Sequence, residues 1–447
     1  MTARRCPNPA IDRLLAWSAL REDPYPVYRR LRDEAPVFWS DEWQAWVVSR
    51  YEEVAASLKD KDNLSNENRQ GLLFTGLTEA ERQILSPLRH YFAEKDVIGS
   101  DPPDHTRMRA LVQKAFTPKT VASLETRIRQ LAWDMLERAA KGGRFDLIEE
   151  VAHPLPVILI AEMLGAPIED RPLFKRWSAD ILGFQGTGRT TFGPALVSQK
   201  SLVEMFDYIN RLVDQRRSDP KDDVITALAL AEVSGQRFSR DELLATCNTL
   251  LTAGHETTTN LIGNLVHLLL ANPSQCEQLR AEPALIDPAI EEALRFDAPK
   301  QRNFRRVKKS HEFAGTEFSE NEMVFQLIGS ANRDERRFER PDLFDLRRER
   351  NDHLSFGFGI HFCLGAPLAR MEARIVLETM LQTMPQCSLA GGPIAWQERQ
   401  QFRGPQQLWI ETDRAASHGA EPSGASPGKG GAPEGIGQYS KGGLRVS

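Results

Sequence analysis

The sequence predicts a mainly α-helical domain carrying small β-sheets. Three observations lead there. Ser239-Arg240-Asp241-Glu242 is a capping box, and it opens the longest helical pattern in the chain, which ends near Asn272-Pro273. Helical spacing of apolar residues recurs over most of the remaining sequence. Period-two alternation is confined to short stretches, around 36–48 and 300–328.

Taken in order, Asp23-Pro24 opens a helix through about Arg32, and Tyr51 to Lys59 forms another. Between them, Pro36-Val37-Phe38-Trp39 and Ala45-Trp46-Val47-Val48 flank the polar Ser40-Asp41-Glu42, which reads as a β-hairpin. Residues 60–100, including the charged segment Glu79 to Arg89, show no clean periodicity, and such long irregular connections are often functional. Asp101 to Arg109 starts the next helix, and Thr117-Pro118 caps one running towards Ala140. Helices are expected at about 149–165, 169–183, 197–217, 221–232, 274–281 and 288–296, with a Gly/Thr-rich mobile loop from Gly183 to Gly193. The alternating segment 300–328 reads as strands punctuated by Gly315 and Gly329, and short strands are expected near 386–389 and 407–411. From Arg414 onward Gly, Ser, Pro, Ala and Lys dominate, too little apolar surface to order itself. The expected organisation is an arm over 1–19, one domain over 20–413 and a disordered tail over 414–447.

Composition excludes several functions. Fifty-seven basic residues against 62 acidic ones give a net charge of −5, which offers no nucleic-acid footprint. Cys6, Cys247, Cys276, Cys363 and Cys387 show no C-x-x-C spacing, which argues against a disulfide framework or zinc site and for a reducing compartment. The N-terminus lacks an apolar run long enough for a signal peptide or membrane anchor, so a cytoplasmic protein is expected.

Chemistry concentrates in Phe356-Gly357-Phe358-Gly359-Ile360-His361-Phe362-Cys363-Leu364-Gly365. Leu368, Met371 and Ile375 recur at helical spacing after it, with Pro367 in the first turn. A thiol at a helix N-terminus meets unpaired N–H groups and the positive dipole end, and both favour thiolate. Gly357 and Gly359 strip side chains from the loop, so a flat group could lie against its backbone. A cysteine on a tight turn is most often structural, but a lone thiolate in an apolar loop also suits axial ligation of haem iron.

The long helix carries Ala253-Gly254-His255-Glu256-Thr257-Thr258. Glycine followed by two threonines weakens a helix locally, and the hydroxyls can bond back to the backbone, leaving room for a local widening. Glu256 beside Thr257 joins an acid to an alcohol, the makings of a proton relay. A zinc-protease H-E-x-x-H is ruled out, because Thr259 stands at the second histidine position. Glu292 and Arg295 lie one turn apart on a further helix.

These motifs together resemble the cytochrome P450 family, of the soluble bacterial type. Phe356, Gly359, Cys363 and Gly365 match its Phe-x-x-Gly-x-x-x-Cys-x-Gly signature. Ala253 to Thr258 match its (A/G)-G-x-(D/E)-T-T oxygen-activation motif, Glu292-x-x-Arg295 its E-x-x-R element, and Ala331-Asn332-Arg333-Asp334 with Phe338 its bacterial members. The resemblance covers about residues 20–413 and implies a triangular-prism fold with haem b between the long helix and the cysteine helix.

It further implies Cys363 as the iron ligand, with Phe356, Gly357 and Gly365 shaping its loop. Glu256 and Thr257 would deliver protons, Ala253 and Gly254 would border the oxygen pocket, and Glu292 and Arg295 would lock the meander holding the loop. The family's third brace residue, an arginine, is replaced by Leu343, with Arg348 or Arg347 as substitutes. Haem propionates would be met by His105, Arg109, His361 and Arg305, although Arg306 and Arg302 compete with the last.

The implied activity is monooxygenation by O2 of a mostly apolar small molecule, through hydroxylation or epoxidation. Electrons would come from NAD(P)H through a separate ferredoxin or flavodoxin-type donor and its reductase. Arg107, Lys114 and Arg370 are candidate contacts for an acidic donor, if they are not simply solvated. A peroxide-driven oxygenase and a non-catalytic haem sensor or carrier are the alternatives, and the intact Glu256-Thr257 pair argues against both. Leu72, Leu73, Phe74, Leu182, Phe184, Phe192 and Phe304 are apolar candidates in the substrate segments. Lys300, Arg302 and Arg403 could contact an acidic group there or stand in solvent.

Overall fold

The computed structural model of the chain describes residues 6, 8–67, 74, 77–185 and 191–412. Leu72, Leu73 and the segment from residue 413 on lie outside them. Helices dominate, and the strands form three small sheets.

The expected hairpin is present: Val37–Ser40 and Ala45–Val48 pair antiparallel, with Val37 opposite Val48. The second strand then runs parallel to Met323–Gln326, which pairs antiparallel with Asn303–Val307, and Leu64–Ser65 closes the edge. Trp46 stacks on Phe318 under this sheet, with centroids 4.6 Å apart. The sheet packs on the helix Tyr51–Lys59 through Val54 and Leu58, forming a core separate from the main helical one.

The helix Arg240–Ala271 runs through the main core, and most of it is buried. Its capping box is realised: Ser239 Oγ accepts from the Glu242 N–H at 3.1 Å, and the Glu242 carboxylate accepts from the Ser239 N–H at 2.8 Å. Gly254 lets the helix Pro154–Met163 approach, since a Cβ there would lie 3.3 Å from Ile160 Cδ1.

Four stretches differ from expectation. Residues 79–93 are two short helices, Glu79–Ile84 and Ser86–Ala93, the first capped by a Thr78/Glu81 box. The helix expected from Thr117 to Ala140 is broken at Leu124 into Pro118–Ser123 and Glu125–Ala140. The one at 149–165 begins as a π-helical turn, Ile148–Ala152, because Pro154 and Pro156 lack the N–H that would continue the α ladder. The helix expected from 197 starts at Phe192, and the preceding helix runs to Gln185, so both ends of the expected loop are helical, while residues 186–190 lie outside the described residues.

Candidate functional site

The cysteine loop is folded on itself by backbone bonds. The Gly357 N–H donates to the Leu354 carbonyl at 2.8 Å, Cys363 to Phe356 at 2.9 Å, and Phe362 to Gly359 at 3.1 Å. Gly357 and Gly359 both sit at φ 73°, the left-handed region that glycine tolerates. At Gly359 a Cβ would also stand 3.3 Å from the Leu58 carbonyl oxygen, so the helix Tyr51–Lys59 supports the loop from beneath. The helix Ala366–Thr383 follows, with Gly365 as its N-cap.

Cys363 is exposed, yet protein atoms crowd round its sulfur. Burial therefore pushes its thiol up, against the downward pull of the Gly365 N–H, the Lys300 charge, the Ala366 N–H and the Arg109 charge. The amides act in the predicted direction, yet desolvation outweighs them. A ligating thiolate here needs a cation of its own, which is what a metal supplies.

The brace behind the loop is complete. Glu292 and Arg295 are bidentate at 2.8 Å for both bonds, and both side chains are almost fully buried. Arg348 is the third partner, its Nε 3.0 Å from Glu292 Oε2, whereas Arg347 turns away to Glu282. Asn351 Nδ2 and the Asp345 N–H also donate to Glu292. Arg295 spends its other N–H groups on the carbonyls of Asn332, Pro341 and Leu343. Asn332 carries the brace to the loop: its Oδ1 accepts from the Leu354 N–H at 2.8 Å, and its Nδ2 donates to Ser355 Oγ at 2.8 Å.

The predicted propionate ligands partly converge. His105 and Arg109 share the helix Asp104–Ala115. The His105 ring lies 4.1 Å from that of His361, and Arg109 Nη2 donates to the Phe362 carbonyl at 2.7 Å. His105 is buried, and neither of its ring nitrogens meets a protein partner. Burial, then the Arg109 charge, lower its pKa, and Asp101 opposes them. Unpaired buried imidazole nitrogens beside a guanidinium fit an anionic cofactor edge, so these residues suit a haem propionate. Arg305 is buried on its strand and donates to the Phe304 carbonyl at 3.1 Å. Of its competitors, Arg306 bonds Asn321 and Glu67, and Arg302 bonds Gln400.

On the long helix, Ala253 is exposed and Gly254 and Thr257 are half-buried, while the residues around them are buried. This strip faces open space in the middle of an otherwise enclosed helix. The expected widening is absent: the backbone stays α-helical throughout, although Thr257 Oγ1 donates to the Ala253 carbonyl at 2.9 Å and Thr258 Oγ1 to Gly254 at 2.8 Å, because the ladder on either side is held in the core. Glu256 and Thr257 also point apart, as helix neighbours do. The Glu256 carboxylate is buried against Arg399, through Oε2, and Oε1 is buried without a protein partner. Arg399, more than a hundred residues away in the chain, carries no sequence signal. Beside Glu256, His255 Nδ1 bonds Ser178 Oγ at 2.7 Å, and its ring meets that of His153 at 4.6 Å.

Phe74, Phe92 and Phe184 form a cluster with all centroids 5.9 Å apart, while Phe304 instead packs on Phe325 of the sheet. The candidate donor contacts have internal partners: Arg107 pairs with Glu242, Lys114 bonds the Glu232 carbonyl, and Arg370 pairs with Glu291. No described helix is long and apolar enough to cross a membrane.

Comparison with known proteins agrees with this geometry. A family model described as Cytochrome P450 matches residues 76–384. The chain is 39% identical over 404 residues to Cytochrome P450 107B1 of Saccharopolyspora erythraea, covering 88% of this chain and 96% of that one. It is 37% identical over 420 residues to Cytochrome P450 monooxygenase PikC of Streptomyces venezuelae, covering 92% and 96%. The crystal structure of CYP109E1 from Bacillus megaterium in complex with testosterone superposes with a TM-score of 0.77 at 34% identity, covering 88% of this chain and 99% of that one. With such identities spanning nearly the whole domain, the chain belongs to the cytochrome P450 family and is a haem-thiolate monooxygenase acting on a small molecule.

Proposed function

We propose that the chain inserts one atom of O2 into a mostly apolar organic molecule, by hydroxylation or epoxidation. Cys363 is the thiolate ligand, and electrons originate in NAD(P)H and arrive through a separate ferredoxin or flavodoxin-type protein and its reductase. The observation that carries this reading is an exposed thiol just before the helix Ala366–Thr383, with His105 and Arg109 gathered at its loop. The overall balance takes up two electrons and two protons, leaving an oxygenated product and water.

Haem held by this thiolate supplies cleavage of the O–O bond, favoured by electron density from sulfur. The chain's own residues do the rest. The Gly365 and Ala366 N–H groups orient the Cys363 sulfur. His105, Arg109 and His361, with Arg305 from its strand, would hold the propionates. Thr257 Oγ1, whose proton is given to the Ala253 carbonyl, keeps its lone pairs for a donor on the open strip of the long helix. Glu256 Oε1 is where a proton can be held, because Oε2 is occupied by Arg399.

Turnover with ferredoxin, reductase and NAD(P)H is compared with turnover on hydrogen peroxide alone. Product is expected under the first condition and little under the second. Product from peroxide alone would favour a peroxide-driven oxygenase, and none under either would favour a haem sensor or carrier.

A further inference from the structure

The long helix turns one buried polar face towards the C-terminal turn. Glu256, Asn260 and Asn264 recur at i, i+4 and i+8, so their side chains lie in one row. Arg399 pairs with Glu256, and Gln397 Nε2 donates to Asn260 Oδ1 at 2.9 Å. Asn264 Nδ2 donates to the carbonyls of Asp297 and Arg403, both at 3.0 Å. The turn is also pinned to the segment after the brace helix. The Arg403 N–H donates to the Pro299 carbonyl at 2.9 Å, the Gln301 N–H to the Gln401 carbonyl at 2.8 Å, and Lys300 forms a β-bridge with Phe402.

Four polar atoms along this seam are buried without a protein partner: Glu256 Oε1, Asn260 Nδ2, Asn264 Oδ1 and Gln397 Oε1. Glu256, Asn260 and Asn264 are only 4%, 1% and 0% exposed, so bulk water does not reach them directly. Turning over the Asn260 and Gln397 amides together keeps their mutual bond and still leaves one polar atom of each over. A row of such atoms on facing elements is a setting for ordered internal water, which supplies the missing bonds.

The row leads outward. Gln397 also lines a small cavity beside the turn, together with Arg21, Gln301, Arg302 and Gln400. Gln301 Oε1 and Arg302 Nε are again buried without a protein partner. Arg21 stands at the surface, paired with the exposed Glu22 at 3.1 Å and Glu398 at 3.4 Å. Gln397 thus joins a cavity near the surface to the polar face of the long helix. His255, adjacent to Glu256, bonds Ser178 instead and takes no part.

We infer that Asn260 and Gln397 are positioning residues of a water file that carries protons from solvent at the C-terminal turn to Glu256. This rests on the reading above in which Glu256 holds a proton for the reaction, and it names where that proton comes from. Each passage takes one proton from bulk water and delivers one to Glu256 Oε1, replacing the one that Glu256 has given up. The amides neither gain nor lose a proton; they orient the waters. The protons are those already counted in the overall balance, so no further reactant is needed.

The test uses the haem-loaded full chain as wild type, Gln397→Leu, Gln397→Glu and Glu256→Gln. A crystal structure of the wild type should show waters bonded to Glu256 Oε1, Asn260 Nδ2 and Gln397 Oε1; a dry seam overturns the inference. O2-dependent NAD(P)H consumption with ferredoxin and reductase is then followed in H2O and in D2O. Gln397→Leu should slow it by about tenfold and raise the solvent isotope effect, with haem content and the carbon monoxide spectrum unchanged. Gln397→Glu, which keeps both polar positions, should recover most of the rate. A wild-type rate in Gln397→Leu overturns the inference. So does a slowed Gln397→Leu with the wild-type isotope effect, or without recovery in Gln397→Glu, because the residue would then act only through the shape of the turn. If Glu256→Gln also leaves rate and isotope effect unchanged, or the wild type consumes no NAD(P)H, the underlying reading fails and this inference with it. A slowed Glu256→Gln beside an unaffected Gln397→Leu defeats the water file alone.

Discussion

Two buried glutamates, Glu256 on the long helix and Glu292 on the helix Ile286–Phe296, are treated differently. Glu292 accepts from Arg295, Arg348, Asn351 and the Asp345 N–H, so both oxygens are saturated. Glu256 gives one oxygen to Arg399 and leaves the other without a protein partner. A saturated buried charge fixes geometry, because any movement breaks several charge-assisted bonds at once. A half-satisfied one keeps a place for water and for a proton. The thiol side is thus built to stay still and the long-helix side to exchange.

Substitutions can break or sharpen that contrast. The largest effect is expected from Cys363→Ser, which should abolish the red-shifted Soret band of the reduced carbon monoxide complex together with turnover; an unchanged spectrum would remove the ligand assignment. Glu292→Leu should follow, since it strands two buried guanidinium groups and lowers unfolding stability by about 3–5 kcal/mol in urea titrations. Arg347→Met, at an exposed pair with Glu282, should cost less than about 1 kcal/mol. If Arg347→Met proved as damaging as Arg348→Met, the third brace position would be misassigned.

On the exchanging side, Thr257→Val keeps the shape but removes the hydroxyl. Product formed per NAD(P)H should fall by about tenfold or more, with haem content unchanged. Wild-type yield would rule out a relay through Thr257.

The smallest effect is a slope. Burial lowers the pKa of His105, His153, His255 and His267, so the folded chain holds them neutral. Below the ordinary histidine pKa of about 6.5 the unfolded chain binds more protons, so stability is full above that pH and falls as pH drops. The loss approaches about 1.4 kcal/mol per pH unit for each such histidine. Denaturation of the haem-free protein between pH 7 and pH 5 should show it. Haem loading should flatten the part due to His105, because a propionate beside the ring favours its protonated form.

What the sequence revealed was local. The cysteine loop, the capping box at Ser239 and the Glu292–Arg295 pair each lie within a few residues, so spacing alone exposes them. The cap at Thr78 was equally local, yet the charged helix behind it has no buried residue and so no apolar stripe to read. Arg348 was one of two neighbours of identical chemistry, and only the fold decides which reaches Glu292. Arg399 and Lys300 owe their places to a turn that returns from the far end of the domain. The separation of Glu256 from Thr257 follows from which helix face each occupies, which adjacency in sequence conceals.

Between Asn332 and Phe358 the chain forms neither helix nor strand. Its carbonyls at Asn332, Pro341 and Leu343 converge on one guanidinium, that of Arg295. One side chain thus does for this stretch what a neighbouring strand would do elsewhere. The shape of this stretch therefore depends on the docked helix Ile286–Phe296, and the cysteine loop hangs from its end. A change in that one guanidinium would be felt at a thiol many residues further along the chain.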